Sequence, residues 1–216
     1  MRMRHGALTV TLLLAFCGAS PEPLRAAVTQ DAKRQAQALA DQALEHLRRG
    51  EDLTNSAQKM TTYQQGLALA NRAVELDDGN ADAHFAIFGN KGRILLLEGV
   101  GANPISLLQV NRDLERALEL NPNHADALTA KGGLYRQLPW VLGGSLAVAE
   151  SCLTKAIALD PEAVSARIEL AETYRAMGQP ERGLPLLELA AAIAERQGKR
   201  RQLGEARALL RELKEP

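Results

Sequence analysis

The chain has 216 residues, with 26 basic and 26 acidic side chains, and aromatics make up only 3%. A chain with no net charge is excluded as a non-specific nucleic-acid binder, which needs a basic footprint. The length suffices for one domain, or two small ones, with a buried core. Ala, Leu, Glu, Arg and Gln outweigh β-branched residues, which predicts helices packed through small side chains.

The first residues read as an export signal. "MRMRH" is basic, "GALTVTLLLAFCGAS" carries an apolar run with no acidic group, and small residues follow to "LRAA" at 24–27. This is the three-part pattern of a secretory signal. Its apolar run is shorter than the roughly 20 residues of a membrane span. The basic start and the Pro21/Pro23 break argue against a buried first helix. Cys17 raises lipid anchoring, but Phe16 stands where lipoprotein signals carry a small residue. The expectation is a signal peptide over 1–27, cleaved between about Ala19 and Ala27. The product would be periplasmic or secreted, without a transmembrane span, and loose envelope association stays open. Without residues 1–27, which hold three arginines and one glutamate, 23 basic and 25 acidic residues remain. Cys152 is then the sole cysteine, so no internal disulfide forms. Its place beside Leu153 reads as core rather than nucleophile.

The rest of the chain repeats itself. "LDDGNADAHFAIFGNKG" at 76–92 and "LNPNHADALTAKGGLYR" at 120–136 share Asp82/Asp126, Ala83/Ala127, Ala86/Ala130 and Gly89/Gly133, 44 residues apart. In chain order, the first predicted helix pair covers about 30–49 and 57–76. Its opening helix shows Ala36, Leu39, Ala40, Ala43, Leu44 and Leu47 on one face, and its second carries Gly66, Ala70 and Ala73. A second pair keeps the frame through Ala117 and Pro122. The third places Gly132 and Tyr135 before its turn and Ala149, Leu153 and Ala156 after it. The fourth sets Leu170, Ala171 and Tyr174 on one helix and Gly183, Leu187 and Ala190 on the next. Pro161 ends the helix before it, and Gly178 and Pro180 mark its turn. A last helix over 201–214 carries the stripe Ala206, Leu209, Leu210 and Leu213 on a polar background, the form of a lid on an apolar end.

The anchors Ala73, Ala117, Ala156 and Ala190 are spaced 44, 39 and 34 residues apart. The last spacing, with Leu170, Ala171, Tyr174, Gly183, Leu187 and Ala190, resembles the tetratricopeptide repeat family, from residue 30 to about 196. The second pair departs from that pattern at Phe88 and Lys91. The resemblance implies an all-α, right-handed α-solenoid of about four helix pairs over 28–196, with a C-terminal capping helix in 197–216.

It also implies a concave groove lined by the first helix of each pair. The residues there would be Phe85, Gly89 and Arg93, then Thr129, Gly133 and Arg136, then Ile168, Glu172 and Arg175. Arg136 and Arg175 are equivalent, and two guanidiniums suit a carboxylate. Gly89, Gly133 and Glu172 stand where the family's carboxylate clamp has Asn, so chaperone-tail binding is not implied. The connections 50–59, 98–105 and 138–145 fall at the same point of successive pairs and are expected to line up as one edge, with Trp140 as its anchor. Lys199, Arg200 and Arg201 read as a solvated helix start. His46, His84 and His124 have no metal-ligand spacing, and "GVG" at 99–101 lacks the rest of a dinucleotide fingerprint. No metal, cofactor or catalytic residue is assigned, and the chain is not expected to be an enzyme.

The expected function is an exported scaffold that binds a protein or peptide partner through its groove and loop edge. The alternative is a periplasmic component associated with a solute-uptake transporter. "GGS" followed by "AES" resembles the loop-to-helix joint of tetratricopeptide-like lipoproteins of such systems, although the broken lipidation signal counts against it.

Overall fold

The computed structural model describes residues 22–99 and 104–214. They form α1 (Glu22–Asp52), α2 (Ser56–Leu76), α3 (Ala81–Leu97), α4 (Pro104–Leu120), α5 (Ala125–Gln137), α6 (Leu146–Leu159), α7 (Val164–Ala176), α8 (Leu184–Arg196) and α9 (Arg200–Lys214). Short connections make neighbours antiparallel, and the helices pack as α1/α2, α3/α4, α5/α6 and α7/α8, with α9 laid on α8. This is the expected all-α solenoid of four pairs and a cap. Among the described residues no helix is long and apolar enough to cross a membrane. Cys17 and most of the expected signal peptide lie outside the described residues.

The alanine anchors explain the stacking. Ala73, Ala117, Ala156 and Ala190 have no exposed surface. A methyl group at the crossing point lets two helix axes approach, and larger chains beside it fill the remaining space. Leu114, Leu153 and Leu187 do so in successive pairs, each fully buried. At α9, Ala206 and Leu209 close the last core together with Leu187, Ala190 and Ile193.

Helix starts are set by side chains that accept otherwise orphaned backbone N–H groups. Asn55 accepts from Gln58, Asn80 from Ala83, His124 from Ala127 and Ser145 from Val148. Ala163, at the equivalent start of α7, offers no such acceptor. There Arg167 draws the turn together instead, donating to the carbonyls of Ala163 and Pro161.

The connections expected over 50–59, 98–105 and 138–145 are not all long loops. The first one collapses, because α1 continues to Asp52 and Asn55 already caps α2. Only residues 53–55 separate them. In the second, Glu98 ends α3, Gly99 turns with φ +70°, and α4 begins at Pro104. Residues 100–103 lie outside the described residues. The third remains a built loop.

Candidate binding surfaces

The curvature follows from which helices touch. α1 packs on α3, α5 on α7 and α7 on α9, whereas among the described residues no comparable packing joins α2 to α4, α4 to α6 or α6 to α8. The row with the closer spacing is the inner, concave one.

The side chains expected along that row are already engaged. Arg136 donates Nε and Nη2 to Glu169 Oε2 at 3.1 and 2.8 Å. Arg175 reaches Glu172 at 2.5 Å and Glu212 of α9 at 3.0 Å. Arg93 is paired with Glu51. Phe85 is only 7% exposed, stacked on Phe88 and tilted against the His124 ring at 4.8 Å. The Thr129 hydroxyl donates to the Ala125 carbonyl. Ile168 packs half-buried against the last core. Gly89 is covered by Leu47, and Gly133 faces the Glu169 carboxyl. The two guanidiniums that suit an incoming carboxylate therefore hold internal ones, and Phe85 belongs to the core.

The loop edge is different. Trp140, Val141 and Leu142 form a single 3-10 turn and are 84%, 65% and 56% exposed. Three large apolar groups on one knuckle are in water, so Trp140 does not fold back into its own repeat. The knuckle is pinned rather than loose. Gly144 N–H donates to the Pro139 carbonyl at 3.1 Å and Ser145 N–H to the Tyr135 carbonyl at 2.9 Å. Gly143 takes φ +91°, a conformation that L side chains adopt at a cost.

A cleft of about 430 Å³ opens between α6, α7 and α8, lined by Ile157, Leu170, Tyr174, Leu186 and Arg182 among others. The Arg182 guanidinium lies 3.8 Å from the centre of the Tyr174 ring and bonds Glu150 and the Tyr174 hydroxyl, both at 2.8 Å. Burial, then Glu150, pushes the Tyr174 hydroxyl's pKa up. Burial also raises the Cys152 thiol, which keeps it protonated and poorly nucleophilic at neutral pH.

No family model and no curated protein matches the sequence. Solved structures resemble it in fold. PilF of Pseudomonas aeruginosa is similar at a TM-score of 0.50 and 18% identity, over 85% of this chain and 77% of that one. TTC0263, a thermophilic tetratricopeptide protein of Thermus thermophilus, is similar at 0.47 and 19%, over 77% and 87%. MamA is similar at 0.45 and 17%, over 82% and 95%. The stacked pairs, their buried alanine anchors and the closing helix decide the architecture. This chain has the tetratricopeptide-repeat fold.

Within the tetratricopeptide frame, the sequence reading missed the polar contacts between repeats. His84 and His124 have no catalytic or metal-ligand spacing, yet both are buried at 6% and 8% exposure. His124 caps α5 through Nδ1, and its Nε2 lies 3.0 Å from Asp82 Oδ1. That contact, with a hydrogen bond from Gln37, holds the Asp82 carboxyl below its ordinary value despite burial. Position offered one signal. Asp82 is the second residue of α3, His124 the N-cap of α5, and a carboxylate at one helix start can meet an imidazole at the next.

His84 sits between two carboxylates. Its Nδ1 is 3.7 Å from Asp113 and its Nε2 3.3 Å from Asp78. Asp113 raises its pKa most, the Asp78 carbonyl and carboxylate add to this, and burial opposes them. A folded pKa above the unfolded 6.5 means that the protonated ring stabilises the fold. That contribution is complete below about pH 6.5 and is lost as pH rises through the folded value. His84→Gln is therefore expected to lower the urea midpoint more at pH 5.5 than at pH 8.5. An equal loss at both values would show that the imidazolium contributes nothing.

Proposed function

We propose that the chain is an exported scaffold that captures a protein or peptide segment, and that the Trp140–Leu142 edge is the capturing surface. One observation carries the choice of surface: three adjacent large apolar side chains stand exposed on a pinned turn, while the arginines of the concave row are internally paired. Tryptophan presented rigidly loses little conformational entropy on burial and is a common interface anchor. Export is inferred from the signal pattern of residues 1–27. The mechanism is recognition without a chemical step.

Capture of envelope proteins on the immobilised full chain, with crosslinking, tests this. Trp140→Ala is expected to weaken capture roughly thirty-fold, the effect of losing about 2 kcal/mol at an anchor. Crosslinks are expected within 138–145. Unchanged capture with crosslinks at 85–93 or 129–136 would move the site to the concave row. A second reading, a component of a solute-uptake system, is supported by the apolar cleft with Arg182 at its wall. A small molecule that co-purifies with the chain, in place of a protein partner, would favour it.

A further inference from the structure

The concave row is tied from its first helix to its last. Arg201, at the start of α9, donates Nη2 to Glu51 Oε2 at 2.8 Å across 150 residues of chain. Glu51, near the end of α1, pairs with Arg93 of α3 at the same time. Arg201 in turn gives Nη1 to Glu205 at 2.6 Å. α9 packs on α7 and α8, and among the described residues nothing of comparable extent joins it to α1. The link between the ends of the row is thus a charge contact between side chains 21% and 33% exposed.

Among the described residues the row has one weaker joint. α1 packs directly on α3, and α5 on α7, but the second and third pairs meet through α4 on α5. Polar contacts bridge this joint: His124 Nε2 to Asp82 Oδ1 at 3.0 Å, and Lys131 to Glu115 at 2.7 Å. The fully buried apolar residues divide at the same place, and only half-buried Leu118 of α4, with Ala130 and Leu134 of α5, packs across it. One cluster occupies α1 to α4 and reaches only Ala127 of α5 among its buried residues, and the other two large clusters lie in α5 to α9. Repeat arrays yield first where neighbouring units share least packing.

We propose that the chain is a latched clamp. α1–α4 and α5–α9 are its jaws, the α4–α5 joint is the hinge, and Glu51–Arg201 is the latch across the concave face. Opening leaves neither latch residue stranded, because Glu51 keeps Arg93 and Arg201 keeps Glu205. A charge pair is costly to break when a partner is left buried and alone, and here each partner has another. The latch is also within reach of solvent ions, which screen such contacts. The concave surface is then closed at rest and reachable when the latch is released, whatever partner uses it.

The test is a distance across the jaws. Spin labels are attached at Gln42→Cys on α1 and Arg211→Cys on α9, both exposed. The full chain is used, with Cys17 and Cys152 replaced by alanine. Pulsed electron resonance is expected to give a short, narrow distance for the parent chain. Arg201→Gln, and separately Glu51→Gln, are expected to lengthen and broaden it, raising the open fraction severalfold. Raising salt from about 20 mM to about 500 mM is expected to move the parent the same way and to move Arg201→Gln less, since only the hinge contacts are left to screen. Circular dichroism checks that helicity is retained. If Arg201→Gln loses helicity, Glu51→Gln and the salt series decide. Distances that match in the parent and the folded variants at both ionic strengths would overturn the clamp.

Discussion

Leu153→Ala is expected to lower the stability of the third and fourth repeats by about 2–5 kcal/mol. Leu153 has no exposed surface and lies in a cluster with Leu128, Ala149, Ala156, Ala166, Leu170 and Tyr174. Three of those neighbours are alanines, and Gly132 stands directly against its side chain. Alanine and glycine have no flexible atoms that could swing into the space left behind, so the cavity persists. A persistent cavity puts the loss toward the upper end of the range, because its cost grows with residual volume. The measurement is urea denaturation followed by circular dichroism, paired with amide exchange. Faster exchange in α5 to α8 with near-parent protection in α1 and α2 is the expected pattern for a repeat array, whose units respond to their nearest neighbours. Leu189→Ala serves as the control, since Leu189 is 48% exposed and should change stability by no more than about 0.5 kcal/mol. A Leu153→Ala loss no greater than the control's would sink the packing account.

Gly132→Ala is expected to destabilise by about 1–3 kcal/mol, although alanine is the better helix former by about 1 kcal/mol. A β-carbon at 132 would press on Leu153 Cγ and stand 2.9 and 3.0 Å from its δ-carbons. Leu153 cannot yield, because it is fully enclosed, so the strain falls on the α5/α6 contact. The two substitutions are coupled, which makes the account sharper. In the Leu153→Ala background the obstructing branches are gone, and the added methyl fills part of the cavity while recovering helix propensity. The same Gly132→Ala change is then expected to stabilise. A double-mutant cycle reads the reversal directly. If Gly132→Ala is destabilising by the same amount in both backgrounds, the close approach of α5 and α6 is not what the glycine serves.

Much of this was legible from spacing. The four anchors recur at 44, 39 and 34 residues, and all four are fully buried. Proline and glycine at 161, 178 and 180 mark helix ends that the structure keeps. Both facts depend on local geometry, since helical period and turn chemistry act within a few residues. The first connection shows the limit of such local signals. Gly50 and the polar run after it read as a loop, but the glycine is buried under Tyr63 of α2, and that cover lets α1 run on to Asp52.

The candidate surfaces were less legible. Spacing places Arg93, Arg136 and Arg175 on the inner row, but it says nothing about Glu51, Glu169 and Glu212, which arrive from other helices and take up their charges. Phe85 shares that limit: its register suggests the groove, while the N-cap of α5 puts the His124 ring against it. Trp140 is the converse case, since only the tertiary arrangement leaves it 84% exposed. Helix identity, pairing and order are properties of short-range pattern, and for this chain the sequence alone determines them. Which charges remain unpaired, which apolar groups stay in water and whether the row closes on itself depend on residues as much as 150 positions apart. Those outcomes rest on small per-repeat rotations that add up along the stack, and no local pattern encodes their sum.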